Sequence, residues 1–207
     1  MDSDYPLKQK LKVSDDERLL VVDRDDHVIG VSTRANLHRK RQWHRQVYVF
    51  LVNAEQEVLI QMRGALAQFD SGKWTASVSG HVREDEVYLA AARRELQEEI
   101  GVSLSELEYL GKTLAYSESH GEVCGGPSAV FMAAVGSEVD VVARLEEEVA
   151  QVAWFAMQSI AEAVACRLAL ECNAAPVEFA SDFAPVFEVL WNHCQPMLRS
   201  DVQRNSE

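Results

Sequence analysis

Glu95, Glu98 and Glu99 sit close together in the run Arg94-Glu95-Leu96-Gln97-Glu98-Glu99. On a helix each residue turns by about 100°, so the three carboxylates would share one face. Like charges spaced this way destabilise a helix by about 0.2–0.5 kcal/mol per pair, so something positive should sit between them. Hard divalent cations take oxygen ligands, and magnesium is typically held by one or two carboxylates, several waters and the phosphate oxygens of a substrate. Such a face is therefore expected to hold a divalent cation that can also meet phosphate oxygens.

A run of charges on a helix is ordinarily just a solvated face. The flanking residues reverse that reading. Gly80, Glu86, Arg94, Glu95, Leu96, Glu98, Glu99, Gly101 and Val102 fall at the spacing Gly-x5-Glu-x7-Arg-Glu-aliphatic-x-Glu-Glu-x-Gly-aliphatic, which resembles the Nudix box at every constrained position. The resemblance implies a hydrolase dependent on magnesium, with manganese as the alternative. It would cut a diphosphate linkage, usually in a nucleoside diphosphate joined to another group. Glu98 and Glu99 would be the primary metal ligands, and Glu95 would complete the metal shell or take the proton from water. The backbone carbonyl of Ser79 is a further ligand by position in the family, while Gly80, Glu86 and Arg94 support the site, the last two as a pair.

The likeness extends upstream. Gly72-Lys73-Trp74-Thr75-Ala76-Ser77-Val78-Ser79-Gly80-His81 is similar to the G-x-W-x-x-S-x-x-G-H pattern of the isopentenyl diphosphate isomerase-like branch. In those isomerases the residue before Gly-His is a cysteine that protonates carbon; here it is Ser79, and a hydroxyl is a far weaker acid than a thiol, with its reference pKa of about 8.5. Hydrolysis is therefore expected over isomerisation, and a nucleotide-sensing domain without turnover is the third alternative. The branch also implies a second metal site built from histidines and later acids. His38, His44 and His81 stand in roughly those places, and Glu118 and Glu122 are candidates for an additional ligand or base, as is the pair Glu147 and Glu148. Residues 34–45 form a basic island holding Arg34, Arg39, Lys40, Arg41 and Arg45 around His38, Trp43 and His44. Arg39, Arg41, His44 and His81 are expected to meet substrate, with Trp43 stacking on a base and Arg63 helping from the next strand. The plain alternative is a solvated loop paired with acidic surface or with a second copy in a homodimer.

These residues need a scaffold. A helix from Asp85 to Ile100 would turn Leu89, Ala92, Leu96 and Ile100 inward, with Asp85 as N-cap and Gly101 ending it in a left-handed conformation. Leu19–Val22 and Val28–Val31 read as a hairpin turned at Asp25-Asp26-His27, and Gln46–Val52 with Val58–Met62 as a second pair. Further strands are expected at Leu107–Ser117, Ala129–Val135 and Gln151–Phe155, then helices at Met157–Ala165 and from Ser181 to about Leu198. Strands on both sides of a helix, then closing helices, suggest an α/β fold, and the resemblance implies a Nudix-type α/β/α sandwich with a mixed β-sheet. Residues 16–199 are expected to form one domain between flexible ends at 1–15 and 200–207.

The 207 residues are 47% hydrophobic and carry a net charge of −13. That suffices for a real core and argues against general nucleic-acid binding, which needs a basic footprint. The expected partner is a small diphosphate compound. No membrane span or signal peptide is read, and the expected location is cytoplasmic. Cys124, Cys166, Cys172 and Cys194 form no C-x-x-C pair, so free thiols are the default. Gly72-Lys73 is no phosphate loop, because Trp74 stands where Ser or Thr is required.

Overall fold

A computed structural model describes residues 16–136, 148–166 and 169–204, without side chains beyond 196. The chain opens with β1 (Arg18–Val22) and β2 (Val28–Thr33), an antiparallel hairpin. Its turn falls where the acids suggested, with Asp23 Oδ1 accepting the N–H groups of Asp25 and His27, both at 2.9 Å. A short helix α1 (Arg34–Arg39) follows, inside a segment that polarity alone marks as loop. It forms because Leu37 and His38 turn inward and are buried.

The main sheet is built on β3 (Gln46–Val52), every residue of which is buried. β4 (Glu57–Arg63), β5 (Trp74–Thr75), β6 (Val78–His81), β7 (Glu108–Ser119), β8 (Glu122–Ala134) and β9 (Val149–Ala156) complete it. Its path is β5-β4-β3-β8-β7, with β6 also on β3 and β9 also on β4. The β3–β8 pairing is parallel and the others antiparallel, so the sheet is mixed. β8 begins seven residues before the expected Ala129 strand. Gly125, Gly126 and Pro127 obscure that first half in the sequence, since such residues weaken a strand reading.

Alternation along β3 sorts the core into two layers. Val47, Val49 and Leu51 face helix α2 (Tyr88–Glu99), meeting its Ala91, Ala92 and Leu96 together with Ile100. Tyr48, Phe50 and Val52 face the other way, toward Met157 and Ile160 of α3 (Met157–Cys166) and Phe183, Val186, Phe187 and Leu190 of α4 (Phe183–Arg204). The result is the α/β/α sandwich that was expected. α4 runs on past Leu198 to Arg204. α2 starts later than foreseen: Val87 is its N-cap, without a side-chain cap bond, and Asp85 lies outside it. Its end matches expectation, for Gly101 has φ of +72° and the Val102 N–H closes back on the Leu96 carbonyl at 3.1 Å.

One local break in this sheet creates the site. β3 pairs with β6 over Gln46–Val49 but with β4 over Leu51–Val52, so β4 and β6 diverge from a common neighbour. Ser77 fills the fork: its Oγ accepts the Leu51 N–H at 2.8 Å and donates to the Leu59 carbonyl at 2.5 Å. A buried hydroxyl thereby satisfies two backbone groups that the parted strands would leave unpaired, and the chain just beyond it, Ser79-Gly80, borders the opening.

Candidate active site

α2 sends its carboxylates into that opening. Glu99 is 8% exposed; its Oε2 accepts the Gln61 amide at 2.7 Å and lies 3.4 Å from the Ser79 N–H. Glu95 reaches over Gly80 so closely that a β-carbon there would lie 2.7 Å from its Cγ and nearer still to its carboxylate. Gly80 is thus fixed by space, since its φ is not in the left-handed range that favours glycine. Arg94 offsets part of the repulsion among the acids. Arg94 grips Glu86 with Nε and Nη2, at 2.7 and 2.9 Å, and turns Nη1 to Glu95 at 2.6 Å and Glu98 at 3.1 Å. It also donates to the His81 carbonyl at 2.9 Å, tying helix to strand.

The three acids are not equivalent. Glu98 is 48% exposed at the rim, with Arg83 Nη2 3.9 Å away, whereas Glu95 and Glu99 are enclosed. Burial raises Glu95 to about 7 against the pull of Arg94. Burial, then the charge of Glu95, push Glu99 well above the usual carboxylate range. Glu148 is raised too, by burial opposed by Arg34 and Arg63. Gln61 spends its amide on Glu99 and leaves a buried Oε1 without a partner. Enclosed, undercompensated carboxylates beside an unsatisfied amide oxygen fit a hard divalent cation, with Glu95 and Glu99 as holders and Glu98 and Glu148 at the edge. Glu147 lies outside the described residues.

The other sequence-predicted residues divide into two groups. Arg39, Arg41, Glu118 and Glu122 stay at the surface in local pairs. Arg39 bonds the Asn36 side chain, Arg41 pairs with Glu118 at 2.7 Å, and Glu122 takes the Gln68 amide at 2.5 Å. Trp43 is half-buried. His38, His44 and His81 instead gather beneath α1, their ring centres 4.9–5.5 Å apart, and Cys124 joins them. Burial drives His38 down to about 3, with help from the charges of His81 and Arg34; it also lowers His44 and His81 and pushes the Cys124 thiol up to about 12. Arg34, one turn before His38 on α1, is the residue the sequence reading underrated. Its charge and that of Arg63 act on the His81, Cys124 and Glu148 groups alike, and its buried Nε has no partner. The i, i+4 spacing of Arg34 and His38 was the available signal, hidden while the segment read as loop.

A mixed sheet between helical layers, with an acid-bearing helix docked on a glycine at a strand fork, defines a Nudix-type domain. The chain belongs to the Nudix family: the family model for the NUDIX domain matches residues 42–169. It is 40% identical over 88 residues to an isopentenyl-diphosphate Delta-isomerase of Serratia proteamaculans, covering 42% of this chain and 49% of that protein. An uncharacterized Nudix hydrolase, YfcD of Salmonella typhi, is 28% identical over 152 residues, 73% of this chain and 79% of the other. The chain thus spans about half the length of the isomerases it matches. In fold it is similar to DR0079 from Deinococcus radiodurans, with a TM-score of 0.64 and 21% identity over 83% of this chain and 98% of that one. Among the described residues no helix is long and apolar enough to cross a membrane.

Proposed function

We propose that this chain hydrolyses a diphosphate linkage, in a nucleoside diphosphate or a derivative of one. The observation that carries the reading is the enclosed pair Glu95 and Glu99 at the Ser79-Gly80 fork, undercompensated in charge and backed by a complete box. A bound magnesium or manganese ion would neutralise phosphate oxygens and acidify water. Glu99, fixed by Gln61 and the Ser79 N–H, is suited to hold the ion. Glu95, which reaches over Gly80 beside the Ser79 backbone, is suited to complete the metal shell or to take the proton from water. Arg34 and Arg63, whose charges reach Glu148, would supply positive charge for the phosphates. Ser79 counts against isomerase chemistry, because no acid stands where a carbon must be protonated.

A screen of phosphate or nucleotide release from nucleoside diphosphate derivatives, with magnesium or manganese, tests this. Release that vanishes in Glu99→Gln is expected. Conversion of isopentenyl diphosphate without phosphate release would overturn it in favour of the isomerase reading suggested by the Serratia proteamaculans relative, and binding without turnover of any substrate would favour a sensor.

A further inference from the structure

Asp182 is a buried acid that the proposed reaction does not use. It is 6% exposed and directly precedes α4. A side chain at that point commonly caps the helix by accepting the N–H of its second or third residue, but the third is Pro185, which has none. Asp182 turns to the sheet instead, where its Oδ2 accepts the Tyr48 hydroxyl at 2.7 Å. That hydroxyl is committed to the acid, since its other acceptor, Gln46 Oε1, is 3.4 Å away. Asp182 Oδ1 is buried with no hydrogen-bond partner.

The turn into α4 does not need this carboxylate. Asp70 holds the turn, accepting the Ser181 N–H at 2.9 Å and the Ser181 hydroxyl at 3.0 Å while bonded to Ser117 and Lys73, both at 2.7 Å. An apolar side chain of similar size at 182 would fill the space without burying an unsatisfied acceptor. Burial raises the Asp182 carboxyl, and the charge of Arg63 opposes that rise. The same cation acts on Glu99, so Asp182 and the box acids border one polar interior.

Sheet geometry gives the direction a substrate must take. Val47, Val78 and Val82 are packed under α2, so that face of β3 and β6 is closed. Ser79 pairs with Tyr48, and residues directly opposite in an antiparallel pair share a face. The Ser79 side chain therefore stands beside Tyr48, on the face that carries Asp182, while the Ser79 N–H lies 3.4 Å from Glu99 Oε2.

We infer that Asp182 is a specificity-determining residue of this site: its Oδ1 accepts a hydroxyl or N–H carried by the group attached to the diphosphate, and Tyr48 holds the carboxylate in place. The inference rests on the reading of the box as a diphosphate site and names the chemistry of the attached group. A nucleoside carries such donors on its sugar and its base. A bare hydrocarbon chain carries none, and a site built to pair with a donor rejects an analogue that lacks it, because the buried acceptor is then left unpaired.

The test measures binding to the full chain by calorimetry with calcium, a cation that also takes oxygen ligands, so that turnover is not required. The probes are ADP, CDP, GDP and UDP, each as the ribonucleotide and the 2′,3′-dideoxy form, with isopentenyl diphosphate as the member without a donor beyond its phosphates. A preference for ribo over dideoxy forms places the donor on the sugar, and a preference among bases places it on the base. Either should be about 10–100-fold, the value of a hydrogen bond to a charged group. In Asp182→Asn the Tyr48 hydroxyl keeps an acceptor in the amide oxygen, and the amide nitrogen, a donor only, replaces Oδ1. The preference should then disappear while circular dichroism and the affinity for isopentenyl diphosphate stay unchanged. A preference that survives Asp182→Asn would overturn the inference alone. So would the absence, in the unmodified chain, of any preference for a nucleotide over isopentenyl diphosphate, even if Asp182→Asn fails to fold. Phosphate or nucleotide release, assayed separately with magnesium, decides the proposed function.

Discussion

Replacing Glu95 by glutamine should stabilise the metal-free protein and disable it. The Glu95 carboxyl titrates at about 7 in the fold against an ordinary 4.5, with burial the largest cause. A carboxyl with a raised pKa contributes fully to stability below 4.5 and loses that contribution as pH rises through 7. At 1.36 kcal/mol for each tenfold change in proton affinity, the ionised side chain costs the native state on the order of 3 kcal/mol above pH 7. Glutamine resembles the protonated acid in shape and never ionises. The two proteins should therefore unfold alike near pH 4.5 and diverge until about pH 7, where the Glu95→Gln variant should melt roughly 6–12 °C higher, at about 2–4 °C per kcal/mol for a chain of this size. Thermal or urea unfolding in chelator across pH 4.5–8 measures the difference. Magnesium should then raise the unmodified protein at pH 8 far more than the variant. A pH-independent difference, or none at pH 8, would refute the enclosure of Glu95 on which the site rests.

Other outcomes follow from the same geometry. Gly80→Ala should evict the Glu95 carboxylate from the fork and lower kcat about 10²–10⁴-fold, the usual worth of a general base, while circular dichroism shows an intact fold; full activity would mean Glu95 has no role there. Glu99→Gln should cost more activity than Glu98→Gln in parallel release assays, because Glu99 is enclosed and Glu98 is at the rim. Arg63→Ala should raise KM about 10–100-fold with a smaller change in kcat, the value of one or two charge-assisted contacts. Arg39→Ala with Arg41→Ala should leave KM within about twofold, since both side chains are engaged at the surface.

The box helix was legible because its chemistry and its periodicity coincide over a single turn-by-turn pattern: Leu96 inward, Glu95 and Glu99 beside it. β3 and β4 were legible for a similar reason, each being a bounded apolar run, branched and aromatic in β3 and aliphatic in β4. What stayed hidden is what depends on partners distant along the chain. That Glu98 is open while Glu99 is enclosed follows from Gln61 and the Ser79 backbone, not from helix spacing, which places all three acids on one face. Cys124 carried no motif because its companions come from α1, the segment after it and β6. Gly125 and Gly126 read as breakers, yet they continue β8 because a side chain at 126 would strike the His44 carbonyl at 2.7 Å and one at 125 would strike Tyr116. Their meaning lies in the segment laid across them.

The alternation of β6 has an evolutionary consequence. Gly80 pairs with Val47 and His81 with Gln46, so neighbouring residues of one strand open onto opposite faces of the sheet, one admitting the acid helix and the other joining the histidine cluster. Mutations on one face can accumulate without passing through the other. A lineage on this scaffold could change the side chains at positions 79 and 124 while its box remained under unchanged selection, and descendants with different reactions could keep nearly the same helix.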